Sequence, residues 1–143
     1  MRILWYLLQF TWALPQNLAG ALRFLCCLRK KHGLYHGAIL TRVRRKRFRG
    51  GWTLGCFIFL TEPLPPEEEH DLLIHEYGHT VQSLILGPFW SLLIGLPSTV
   101  WCRLPCFRRL RQRKGLSYSS LCCEGWANAL GEKYTGERMR RPL

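Results

Sequence analysis

Carboxylates are scarce in this sequence. Nine Asp and Glu stand against 21 Lys and Arg, a formal charge of +12, and Asp71 is the only aspartate. A chain so poor in acid is drawn to polyanions, which means nucleic acid or the anionic face of a bilayer. There is no internal repeat, no low-complexity tract and no linker long enough to separate domains. The 143 residues, 1–143, therefore read as one domain with a single core of moderate size. Disorder is not the expectation, because 48% of the residues are hydrophobic and there are six Trp, five Tyr and seven Phe.

The seven cysteines are an odd number and include two adjacent pairs, Cys26-Cys27 and Cys122-Cys123. Neighbouring cysteines bridge one another only under strain. Cys102 and Cys106 have no second pair at zinc-ribbon spacing. Reduced cysteines packing as small apolar residues, on a cytoplasmic side, are the expectation.

What the chain does have is basic blocks beside apolar stretches. Nine Lys and Arg lie between Arg29 and Arg49, six between Arg103 and Lys114, and four between Lys133 and Arg141. Between them run apolar segments over 3–28 and 83–102. This alternation points to a protein seated on the cytoplasmic face of a membrane, with anionic lipid as a partner. Nucleic acid is disfavoured: Arg42 to Arg49 with Phe48 and Trp52 interleave charge and aromatics, but no recognisable nucleic-acid module is present.

The first segment resembles a signal peptide in charge and hydropathy but has no small-residue cleavage site, so it is expected to be retained. Pro15, Gln16 and Asn17 interrupt it and predict two short helices or a re-entrant hairpin. The segment 83–102 is broken at Gly87-Pro88 and at Gly95-Leu96-Pro97. A single crossing there would put the basic blocks at 29–49 and 103–114 on opposite sides, so a shallow hairpin is expected.

LYHGAIL and WTLGCFIFL, punctuated by Gly50-Gly51, predict a small antiparallel sheet of two or three strands. VRRKRFR between them is too charged to bury. Pro65, Pro66 and Glu67 to Glu69 open a helix that should run over 67–86, and a last helix is expected over 117–134 with a short basic tail after it. The fold class is thus α+β: a small membrane-associated domain, mainly helical, with a short antiparallel sheet and an apolar helical hairpin.

Inside the helix at 67–86, His75, Glu76 and His79 form H-E-x-x-H. Residues four apart share a helical face, so both imidazoles reach one ion and the carboxylate lies beside the open coordination position. There Glu76 can take a proton from water and deliver it to a leaving amine. Two ligands leave a zinc site incomplete. Glu124, in C-C-E-G-W-A-N, has apolar neighbours and has Asn128 four residues on, where a polar group can hold a ligating histidine's ring. Glu132 is the rival ligand and His70 the next.

Metzincins are excluded, because Gln82 and Ile85 stand where that class has its glycine and third histidine. Intramembrane site-2 proteases are excluded as well, since they take an aspartate from a later segment and Asp71 precedes the motif. H-E-x-x-H with a later E-x-x-x-D helix resembles the gluzincins, the zinc peptidases that include thermolysin. The resemblance implies His75, His79 and Glu124 as ligands of Zn2+, Glu76 as general base, and Asn128 where the family has its orienting aspartate. E-G-W-A-N is also similar to the E-x-x-A-N segment of ImmA/IrrE-type peptidases. HEYGHTVQSLILGPFWSLLIGLPS resembles short bacterial proteins with HEYGHT-Q-S-L-LGP and IGLPS blocks, over about residues 52 to 131. That likeness implies a bacterial inner-membrane protein and brings no activity of its own.

The expected activity is metal-assisted hydrolysis of a peptide or protein at the cytoplasmic membrane face. A purely structural metal joining the two helices is the alternative. Nothing in the spacing chooses an oxyanion donor among Tyr77, Tyr118, Tyr134 and the arginines.

Overall fold

The computed structural model describes residues 2–44 and 49–140. Six α-helices and a four-stranded sheet make it α+β. The first apolar segment forms two short helices, α1 (Arg2–Thr11) and α2 (Leu14–Leu25). Pro15 falls inside the first turn of α2, where a missing N–H is harmless, so the break comes before it, at Trp12-Ala13.

The strands are β1 (Lys31–Tyr35), β2 (Ala38–Arg44), β3 (Gly51–Leu54) and β4 (Phe57–Glu62). Each of the two stretches read as a strand is in fact a hairpin. His36-Gly37 turns the first with both φ angles positive, 48° and 95°, and Gly55-Cys56 turns the second with Gly55 at 62°. These are the two-residue turns whose twist suits paired strands.

The sheet order is β1-β2-β4-β3, and the expectation of an antiparallel sheet fails at its centre. β2 and β4 run parallel, Ile39 opposite Phe57 through Arg44 opposite Glu62. β3, which follows β2 in sequence, lies at the outer edge, and β4 takes the place between them. Residues 45–48 of the charged VRRKRFR stretch lie outside the described residues. Val43, at its start, is buried.

Side chains alternate across the sheet. Leu40, Ile58 and Leu60 face Leu72, Tyr77 and Val81 of α3 (Pro66–Leu86). Phe57 and Phe59 face the other way, with Phe24 of α2 packed against them. Central β4 is thus buried on both sides, and the sheet is a layer between α3 and α2.

Polar groups fasten the N-terminal helices to this frame. Asn17 Nδ2 donates to the carbonyls of Gln9 at 2.7 Å and Ala13 at 2.8 Å, while its Oδ1 accepts the N–H of Cys56 at 2.8 Å. Gln16 Nε2 donates to Ser83 Oγ at 2.9 Å and to the carbonyl of Gly87 at 2.8 Å.

α3 begins at Pro65-Pro66 with three glutamates in its first turn and ends at Gly87, as its sequence predicts. Beyond it the chain turns by 118° before Ser91–Arg103. The break at Gly87-Pro88 makes this corner; Gly95-Leu96-Pro97 makes none, since a π-helical turn over Ser91–Gly95 runs straight into α4 (Leu96–Arg103). No single described helix is long and apolar enough to cross a membrane.

The basic block forms a helix that the sequence reading did not anticipate, α5 (Pro105–Lys114), with proline at its start and Gly115 in the left-handed conformation at its end. The last helix, α6 (Cys122–Thr135), starts five residues later than expected. Tyr118–Ser120 make one 3₁₀ turn and Leu121 is extended. After it, Glu137 accepts from Tyr35 and meets His36 and His70, so the segment following α6 is tied to the β1–β2 turn and to α3.

Candidate metal centre

α3 and α6 cross with their backbones nearly touching. A Cβ on Gly78 would lie 1.9 Å from the carbonyl oxygen of Ala127, and one on Gly131 would lie 2.1 Å from that of Ile74. Glycine at both places is what permits the crossing. It brings the first turn of α6, and Glu124 with it, against the face of α3 that carries His75 and His79.

Glu124 is fully buried, and its Oε2 lies 3.1 Å from His75 Nε2 and 3.3 Å from His79 Nε2. Neither contact has hydrogen-bond alignment, so Oε2 is a buried oxygen without a proper donor. One ligand atom from each of the three residues lies within 4.8 Å of the others, close enough to share one metal ion.

The other ring nitrogens fix the tautomers. His75 Nδ1 is 2.6 Å from Asn128 Oδ1, and His79 Nδ1 is 2.7 Å from Gln82 Oε1. An amide oxygen only accepts, so each Nδ1 carries a proton. The orientation of Gln82 is itself held, because its Nε2 donates to the Cys123 carbonyl at 2.8 Å. In the neutral rings both Nε2 lone pairs therefore face the carboxylate oxygen. Three electron-rich atoms facing one point form a group that could hold a metal ion.

The acid–base balance reflects the closeness of the three groups. Burial works to raise the Glu124 pKa, but the two imidazoles outweigh it and hold the carboxyl well below its usual range. Burial works to lower the His79 pKa, but Glu124 outweighs it and the net shift is upward.

Of the rival ligands, Glu132 accepts the N–H of Met139 at 2.9 Å and His70 pairs with Asp71 and Glu137. Both are turned away from the histidines. Glu124 stands in the first turn of α6 rather than mid-helix.

Glu76 points to the other side, toward β3. Its Oε2 accepts from Thr53 Oγ1 at 2.7 Å, and Thr53 also donates to the Glu76 carbonyl at 3.0 Å. A Cβ on Gly51 would sit 2.7 Å from Glu76 Oε1, so that glycine makes the room. His75, Glu76 and His79 all line a cleft of about 770 Å3, whose walls include Trp52 of β3, Trp90 and Tyr118.

Among the tyrosines left open by the sequence, only Tyr118 lines this cleft. Its ring lies 6.1 Å from that of His75, Ser98 Oγ is 3.1 Å from its hydroxyl, and burial raises its pKa far above the ordinary tyrosine value. Tyr77 donates instead to the His36 carbonyl at 3.4 Å, and Tyr134 is exposed. Sequence reasoning missed Gln82 and Thr53 as parts of the site and left Tyr118 unchosen among the candidate tyrosines. Only Gln82 carried a local signal, three residues beyond His79 on the same helix.

No protein-family model, curated protein or solved structure matches this chain.

Proposed function

We propose that the chain is a zinc-dependent peptidase acting on a peptide or protein at a membrane face. The observation that carries this reading is the buried trio of His75 Nε2, His79 Nε2 and Glu124 Oε2, with Glu76 lining the same cleft as the two histidines. Two imidazoles and one carboxylate suit zinc, which accepts nitrogen and oxygen donors and keeps a fourth position for chemistry. The gluzincin-like spacing of the motif and Glu124 supports the same assignment.

Zinc held by His75, His79 and Glu124 would supply the polarisation of a scissile carbonyl and the acidification of water at neutral pH. The chain's own groups do the rest. Thr53 holds Glu76 Oε2, leaving Oε1 as the proton acceptor. Glu76 takes a proton from the attacking water as its oxygen bonds to the carbonyl carbon. It returns that proton to the amine nitrogen as the C–N bond breaks. Tyr118, kept protonated by burial, donates to the carbonyl oxygen as negative charge collects there. The cleft walls exclude bulk water and hold the peptide.

The membrane placement rests on the basic blocks flanking apolar segments that remain exposed, Phe89, Leu92, Leu93 and Leu96 among them.

The test is metal content and cleavage of a peptide library by purified protein, wild type beside Glu76→Gln and His75→Ala. Wild type should carry about one zinc per chain and cleave. Glu76→Gln should keep the zinc and lose cleavage, whereas His75→Ala should lose both. Zinc lost from Glu76→Gln as completely as from His75→Ala would overturn the roles assigned. A zinc-loaded wild type that cleaves nothing would make the ion structural.

A further inference from the structure

The two N-terminal helices have a finished inner face and a bare outer one. Their polar residues Gln9, Gln16 and Asn17 are buried and bonded inward. Leu14, Leu18, Leu22 and Leu25 recur along one side of α2 and are 46–59% exposed. Ile3, Leu4, Leu7 and Leu8 share one side of α1 and are 42–78% exposed. In a helix otherwise seated by its polar groups, a stripe of leucines at three- and four-residue spacing is a second, unpartnered hydrophobic face.

The stripe continues into the corner after α3. A Cβ on Gly87 would lie 2.3 Å from the Trp12 ring, so the α1–α2 turn abuts that corner, and Ile85, Phe89, Leu92 and Leu93 stand exposed beyond it.

The other end of α2 leads into charge. After Leu28, Arg29, Lys30, Lys31 and Arg44 line a surface pocket of about 520 Å3. Arg42 in the same pocket is matched by Glu62 and Glu69, but none of the other four has an ion pair among the described residues. An apolar stripe leading into a pocket of unmatched cations fits one chemistry, acyl chains beside phosphate headgroups.

The helices cannot span. With 10 and 12 residues they are about 15 and 18 Å long, against a hydrocarbon core of about 30 Å. They must lie in the interface.

We propose that the outer face of α1 and α2 beds flat into an anionic bilayer, with lipid phosphates in the pocket of Arg29, Lys30, Lys31 and Arg44. This rests on the membrane half of the proposed function and not on the metal chemistry. It also narrows the substrate class. Arg23 of α2 and Leu96 both border the metal cleft, so bedding α2 brings the cleft to the lipid surface, within reach of chain segments emerging from the bilayer.

The experiment is flotation of the purified full-length protein with vesicles of phosphatidylcholine alone or with phosphatidylglycerol added. Zinc content is read on the same preparations. Wild type should float with the anionic vesicles and weakly with the neutral ones. Leu18→Gln with Leu22→Gln should reduce binding by about tenfold or more, and Lys30→Ala and Lys31→Ala by about fivefold each, at unchanged zinc content.

Anionic vesicle binding that ignores the leucine pair overturns this face but leaves a membrane placement standing. Absence of vesicle binding overturns both, whatever the zinc content. An oligonucleotide bound as tightly as the vesicles, and equally by the leucine variant, makes the surface a general polyanion site. Release by inorganic phosphate beyond that caused by chloride of equal ionic strength makes the pocket a site for free phosphate.

Discussion

Asn128 Oδ1 lies 2.6 Å from Nδ1 of His75, on the helix that also carries Glu124. One turn of α6 thus supplies both an oxygen facing Nε2 and the group that fixes which nitrogen is free to bind. Gln82 does the same for His79 from within α3. The two rings are held independently, so their supports should be separable by mutation.

Glu124→Ala should lower zinc affinity by several orders of magnitude, because it removes one of three ligands and the only negative one. Asn128→Ala and Gln82→Ala should each cost about 10–100-fold, the usual effect of losing a ligand's support. Competition with a calibrated chelator measures all three. Equal losses in Glu124→Ala and Asn128→Ala would remove the distinction.

Tyr118→Phe should retain zinc and lower kcat by about 10²–10³-fold, the cost of losing one oxyanion donor. The substitution keeps the ring that packs near His75. A change confined to KM would make Tyr118 a wall of the cleft and no more.

Gly51→Ala should press on Glu76 and misplace its free oxygen. Cleavage should fall by up to about 10²-fold at unchanged zinc content, as small displacements of catalytic groups do. Steady-state kinetics and metal analysis on one preparation check both halves. Loss of zinc would show that β3 supports the ligands themselves.

Zinc binding near neutral pH should release a proton. The net shift of His79 is upward, so its ring carries a proton to higher pH than a free histidine, and the ion must displace it. Apparent affinity should fall as pH falls, because protonated rings are then more abundant. Calorimetry in buffers of different ionisation enthalpy counts the protons. A titration whose heat is the same in every buffer would contradict this.

Gly78→Ala should destabilise the metal-free protein by about 1–3 kcal/mol, because the added methyl meets the Ala127 carbonyl and α6 must retreat. Glu124 retreats with it, so zinc affinity should fall too. Urea unfolding and zinc titration would show the two effects together, and an unchanged affinity would mean that the site does not depend on this crossing.

The helices and much of the site were legible because their signals are local. Pro65-Pro66, the glutamates after them and Gly87 delimit α3, and the four-residue spacing of His75 and His79 sets one face. Signals for α5 were local as well, proline before and glycine after, but PCFRRLRQRK has no apolar stripe to draw the eye. The hairpin at His36-Gly37 was hidden because a residue other than glycine seldom adopts positive φ. The parallel pairing of β2 with β4 leaves no trace in either strand's pattern, since it depends on β4 taking the place between β2 and β3. Thr53 and Tyr118 reach the cleft from β3 and from the turn before α6, and only the assembled fold brings them there.

The bonds that hold Gln16 have a consequence for how the chain is made. Its partners, Ser83 and Gly87, come 67 and 71 residues later. At typical rates of synthesis that is a wait of roughly 4–14 seconds. Throughout it, α1 and α2 have the bonds of Asn17 to Gln9 and Ala13 but lack those that Gln16 makes to Ser83 and Gly87. α1 and α2 precede the helix that completes their docking, so their exposure to aggregation or capture in the meantime is set by the pace of translation through α3.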